Sequence, residues 1–200
     1  MKKLTTTTIC IVFMLTCMGQ ETISKIKRQK ALNHLKQTQS DLQVLIKDLS
    51  DEQLEYKMDE SSWSVAECLE HIAISEKNLI DMIKMSLNED SDPSKRSEVA
   101  MSDDQILSLI TSRDQKVKTR KEFEPTDSFG GYNNTWKTFQ ERRKANIKFL
   151  KTTQADLRNH YMQFPFGLID TYQGVLFMSG HTKRHTDQIK EIIASNNFPQ

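Results

Sequence analysis

The chain has 200 residues, 36% hydrophobic and 28% charged, which is long and apolar enough for one sizeable packed core. Its 28 basic residues against 27 acidic ones argue against a nucleic-acid partner held by bulk charge, and no basic, aromatic-lined stretch for single strands stands out. The first element is a leader over residues 1–19: Lys2 and Lys3, then the apolar run Ile9 to Leu15, then small residues around Thr16, Cys17 and Gly19. That is the layout of a secretory signal peptide. The run is too short for a ~30 Å hydrocarbon layer, so no stable membrane span is expected. Cleavage after Gly19 leaves an exported chain of residues 20–200, periplasmic or secreted. Lipid anchoring through Cys17 fits less well, because Thr16 is a poor residue just ahead of a lipidated cysteine. Export also removes Cys10 and leaves Cys68 alone, so no internal disulfide is expected and stability must come from packing.

The remainder reads as helical almost throughout. Ile23, Ile26, Leu32, Leu35, Leu42, Leu45, Ile46 and Leu49 recur at three- and four-residue steps and predict one long amphipathic helix, ended by "LSDEQL". Ser64 and Glu67 form an S-x-x-E capping box that opens a second helix, with Trp63 placed to pack on Cys68 as a hydrophobic staple. Its apolar stripe is Val65, Cys68, Leu69, Ile72, Leu79, Ile80 and Ile83. Residues 86–101, polar and carrying Pro93, predict a long exposed loop. Ser102 and Gln105 open a shorter helix through Ile106, Leu107, Ile110 and Val117, and Pro125 with the glycine pair at 130–131 breaks the chain again. A helix over about 135–157, a turn region over "RNHYMQFPFG" and a last helix over about 168–194 follow. No strand is expected. Four long helices and one shorter one predict an all-α fold, a four-helix bundle with one additional helix.

The chemistry-bearing residues are histidines, of which there are five. His181 and His185 lie four apart on the last helix and therefore project from one face. The spacing alone is weak evidence. Phe177, Met178 and Ile192 flank that face, so the pair points inward, where ring nitrogens need partners. One divalent ion would satisfy one nitrogen on each, and a third ligand from another helix would complete a usable site. His34, among lysines and glutamines, looks solvated; His160, in the turn region, suits a surface or capping role. His71 sits at the margin of the second helix's stripe, and a structural histidine and a ligand are equally good readings of it. Cys68 has Cys-x-x-His spacing but is better read as a small hydrophobe. Glu67 serves the helix cap, Glu70 suits a solvated face, and Gln188 could orient a water or a ligand. Arg142, Arg143 and Arg184 could meet an anionic group, although basic residues on helices are usually just exposed.

At these residues the chain resembles a known family. "SSWSVAECLEHIAISEKNLI" is similar to the second-helix signature of the DinB/YfiT-like superfamily, in which a Trp-Ser turn precedes a helix carrying a histidine. "FQERRKANIKFLKTTQADLRNH" and "GLIDTYQGVLFMSGHTKRHTDQI" resemble its last two helices, in the same order. The resemblance covers most of residues 22–195 and is weakest over 86–101. It implies an up-down-down-up bundle and a divalent metal, zinc, nickel, iron or manganese, held by three histidines, which by matching are His71, His181 and His185. A metal-dependent hydrolase of a small-molecule substrate is then the expected function. A thiol-dependent transferase of the same superfamily is the first alternative, and export would separate it from a cytoplasmic thiol. A non-enzymatic metal-binding or stress-response module is the second. A homodimer is left open.

Overall fold

The computed structural model describes residues 23–115 and 117–200; the leader expected over 1–19, with Cys10 and Cys17, lies outside them. Helix α1 (Lys25–Ile46) starts where the Ser24 hydroxyl accepts from the Lys27 N–H, and it buries Leu32, Leu35, Leu42 and Ile46 on one face. It is shorter than the apolar pattern up to Leu49 predicts. Ser50 and Gln53 form a capping box of their own and start a separate short helix, α2 (Asp51–Glu55), inside the expected turn.

Helix α3 (Val65–Leu87) carries the expected box: the Ser64 hydroxyl accepts from the Glu67 N–H at 3.2 Å, and the Glu67 carboxylate accepts from the Ser64 N–H at 2.8 Å. All seven residues of its predicted stripe are buried. The loop that follows contains a 3-10 turn over Pro93–Glu98. Helix α4 (Asp103–Thr111) opens with the Ser102–Gln105 box but stops well short of Val117, which is exposed. Ser112 and Asp114 bond to each other there, the Ser112 hydroxyl donating to the carboxylate and accepting from the Asp114 N–H, a local pattern that competes with a further helical turn.

Helix α5 (Tyr132–Thr152) begins earlier than expected, because Gly131 at φ 97° makes the entry without a side-chain cap. It also ends before Leu157, where Thr153 accepts from Ala155 and Asp156 from Arg158. The turn region proves to be an antiparallel hairpin, β1 (Tyr161–Phe164) and β2 (Gly167–Asp170), with Tyr161 opposite Asp170. Asp170 ends it and caps α6 (Thr171–Ile193) through a box with Gln173, so the last helix starts later than Leu168.

Named contacts fix the helix directions. Tyr172 at the start of α6 donates to the Lys27 carbonyl at the start of α1, so these two run the same way. Tyr132 at the start of α5 donates to the Ile46 carbonyl at the end of α1, so α5 runs opposite. Arg142 reaches the Ala73 carbonyl, and Lys84 lies over Phe149, so α3 runs with α5. The order is up, down, down, up, with α1 and α3 each packed against both α5 and α6. Because α3 and α5 are parallel, residues 88–131 must return along the bundle as a crossover. Helix α4 lies on α6 in that return, seated where Gly180 leaves room: a Cβ there would stand 2.4 Å from Ile110 Cγ2. Arg158, bonded to Asp103 and Asp170, ties the near end, and an Arg113–Glu191 ion pair ties the far end.

Inside the bundle a polar layer separates two apolar clusters, one around Leu35, Leu79, Leu150 and Met178, the other around Leu42, Ile72, Phe139 and Ile189. Arg143, fully buried, bonds Glu76, the Thr182 hydroxyl at 2.7 Å, the Thr38 hydroxyl at 2.9 Å and the Leu35 carbonyl at 2.6 Å, and Asn146 takes the other Glu76 oxygen at 2.8 Å. A buried charge is tolerable when it is paired and bonded in this way.

Candidate metal centre

Helix α6 presents His181 and His185 one turn apart, and antiparallel α3 brings His71 against both. The three ring centroids lie 4.8 Å (71 to 181), 4.4 Å (71 to 185) and 4.5 Å (181 to 185) apart. One ligand nitrogen from each can be chosen so that all lie within 4.8 Å of one another. His71 and His185 are buried and His181 is partly exposed, so the cluster opens to the outside at His181.

Hydrogen bonds decide which nitrogens are offered. His71 Nδ1 lies 2.7 Å from the Phe123 carbonyl oxygen, which can only accept, so Nδ1 carries the proton and Nε2 keeps its lone pair. His185 Nδ1 lies 2.8 Å from Gln188 Oε1, which leaves its Nε2 as the free nitrogen in the same way. His71 Nε2 and His181 Nε2 are 3.1 Å apart. A proton or a cation is needed between them, and ligands at ~2.0–2.1 Å in tetrahedral array sit about 3.3 Å from one another. The donor set therefore fits a divalent ion.

Electrostatics agree. Burial holds His71 down to about 4, partly opposed by its bond to the Phe123 carbonyl. Burial, and then the neighbouring imidazoles, hold His181 and His185 well below the ordinary histidine value. All three are neutral at pH 7, the form that binds metal. Trp63 lies over the cluster, its ring 4.8 Å from His71 and 6.1 Å from His185.

The other candidates do structural work. His34 is half-buried, not solvated, with Nδ1 2.7 Å from the Ser179 hydroxyl, because the packing of α6 on α1 covers that face. His160 is buried and donates from Nδ1 to the Ser86 carbonyl in the last turn of α3, a capping role away from the surface. Cys68 is buried in the apolar core, where burial pushes its thiol up, and it is not part of the cluster. Glu70, expected on a solvated face, is buried and accepts from the N–H groups of Thr126, Asp127 and Ser128, holding the end of the crossover over α3. Arg142 bonds the Ala73 carbonyl, Arg143 the interior layer and Arg184 the Gln115 carbonyl. Neither the Phe123 carbonyl nor Arg113 was visible as a site group in sequence, since a backbone acceptor leaves no residue signature. Two surface depressions, of about 460 and 270 Å³, lie at the opposite end of α3, around Ser86 and Tyr161.

The model of the DinB superfamily matches residues 34–189, a span that holds all three histidines. Among solved structures, YfiT from Bacillus subtilis, described as a probable metal-dependent hydrolase with an unusual four-helix bundle topology, is similar in fold. The TM-score is 0.58 at 19% identity, over 86% of this chain and 89% of that one. No curated protein matches the chain.

Proposed function

From the premise that the chain belongs to the DinB superfamily, we propose that His71, His181 and His185 hold one divalent metal ion and that the protein is a metal-dependent hydrolase of a small molecule. The observation that carries this is the convergence of three neutral imidazoles from two helices, with Nδ1 of His71 and of His185 already engaged outward. Three protein ligands leave a coordination position open, as hydrolytic sites require and closed structural sites do not. Such an ion supplies Lewis acidity, lowering the pKa of water toward ~7 and polarising a carbonyl.

The chain's own residues do the rest. Trp63 shields two of the imidazoles from water, and the partly exposed edge at His181 gives access. Glu67 and Glu70 are both committed to backbone N–H groups, and Gln188 to His185, so the proton acceptor is not one of these. Zinc, nickel and iron suit an all-imidazole donor set, whereas manganese prefers oxygen ligands, so metal supply selects among the first three. A leader over residues 1–19 would add export to the reading, which fractionation with mass spectrometry of the purified chain tests: a protein found only in the cytoplasm and still beginning at Met1 contradicts it.

The direct test is a panel of esters, lactones and amides offered to the metal-loaded protein and to His181→Ala. Turnover by the first and none by the second is expected. The same geometry would serve a non-enzymatic metal-binding module, since binding alone needs only the three imidazoles. Stoichiometric metal binding with no turnover across the panel would support that module over the hydrolase.

A further inference from the structure

Gln188 is engaged on two sides. Its Oε1 lies 2.8 Å from His185 Nδ1 and 3.4 Å from Arg113 Nη1. Arg113 is in turn clasped by Glu191, Nε to Oε1 at 2.6 Å and Nη2 to Oε2 at 2.7 Å. A guanidinium can only donate, so it fixes which end of the amide faces it: the oxygen. That oxygen then requires His185 Nδ1 to carry the proton, and Nε2 is left with its lone pair. Arg113 belongs to the crossover just beyond α4, whereas Gln188 and Glu191 belong to α6. The chain Glu191–Arg113–Gln188–His185 thus transmits the seating of the crossover to a ring nitrogen of the cluster. The opposite imidazole is held from the same segment, since the carbonyl that fixes His71 is that of Phe123.

We propose that Gln188 and Arg113 are positioning residues that lock His185 in its Nδ1–H tautomer and so present Nε2 to the metal; this rests on the three-histidine reading above. In water a free imidazole favours the other tautomer, with the proton on Nε2, so the support acts against the intrinsic preference. Outer partners of this kind commonly change metal affinity by ~10–100-fold.

The test has two readouts. In metal-free protein, the imidazole nitrogen shifts of His185, by long-range 15N–1H correlation, report the tautomer directly. In metal titrations with Co(II), the visible absorption reports affinity. Wild type should show Nδ1–H. Gln188→Leu should move His185 toward Nε2–H and weaken Co(II) binding ~10–100-fold. Gln188→Glu, which still offers an acceptor, should keep the Nδ1–H tautomer and bind within a few-fold of wild type. Arg113→Met, which frees the amide to flip, should fall between the two. A merely structural role would give parallel losses in Gln188→Leu and Gln188→Glu with an unchanged tautomer. Gln188→Leu with Nδ1–H retained and wild-type affinity overturns the proposal. If wild type binds no Co(II), the metal reading fails by itself, and the tautomer comparison still decides the role of Gln188.

Discussion

At the scale of single residues, the buried pair of Arg143 and Glu76 makes the sharpest demand. Removing one partner leaves an uncompensated charge in the interior, which costs roughly 3–5 kcal/mol. Arg143→Met should therefore lower stability by about that amount in urea unfolding. Arg143→Met with Glu76→Leu should recover a good part of it, because two apolar side chains bury no charge. A double variant as damaged as the single one would show that the layer's shape matters more than its charge. The histidines make a second demand. The unfolded chain takes up protons at His71, His181 and His185 as pH passes below ~6.5. The native imidazoles resist, with His71 held to about 4. Stability of the metal-free protein is then fully present above that range and declines as pH falls from ~6.5 toward 4. His34, also lowered chiefly by burial, adds in the same sense. Urea midpoints in the metal-free state should drop between about pH 7.5 and about pH 5.5. Equal midpoints would contradict the burial of the cluster.

At the scale of elements, the long helices were legible from their apolar stripes and two starts from their caps, whereas the Ser50–Gln53 and Asp170–Gln173 boxes that open α2 and α6 did not stand out inside turn-like sequence. The Ser64–Glu67 and Ser102–Gln105 boxes placed two helix starts correctly, because a side chain that satisfies a free N–H leaves a spaced signature. The start of α5 was missed because Gly131 makes it with backbone conformation alone. The hairpin was missed because its strands have four residues each, too few for a period-two pattern, and because Asp170 ends the sheet and caps α6 at once. One contact between elements has a direct test. Gly180 lets α4 lie on α6, and Gly180→Ala would press a methyl into Ile110 Cγ2. Overpacking of this sort costs ~1–3 kcal/mol, against a helix-propensity gain of ~1 kcal/mol for replacing glycine. A net loss of stability is expected in thermal unfolding, and Gly180→Ala should be better tolerated in an Ile110→Ala background, where the clashing methyl is gone. Equal effects in the two backgrounds would refute close approach as the reason for glycine.

At the scale of the molecule, the parallel course of α3 and α5 decides what lies beside the histidines. It sends residues 88–131 back along α6, where they deliver the Phe123 carbonyl and Arg113 to the outer sides of His71 and His185. The pair on α6 could be read from spacing, since four residues make one turn. His71 could not be read from periodicity, where core and ligand look alike; the family resemblance pointed to it, and the antiparallel packing of α3 on α6 places it there. The Phe123 carbonyl and Arg113 were beyond sequence reading, because they depend on the crossover's path, whereas Gln188, on the same helix as His185, was already a candidate for orienting a water or a ligand. The most direct measurement of the central claim is elemental analysis of tag-free protein after metal reconstitution, comparing wild type with His71→Ala and His181→Ala, each checked for its helical circular dichroism. One divalent ion per wild-type chain and almost none in either folded variant is the expected result. Equal metal content in all three, or none in wild type, would contradict it.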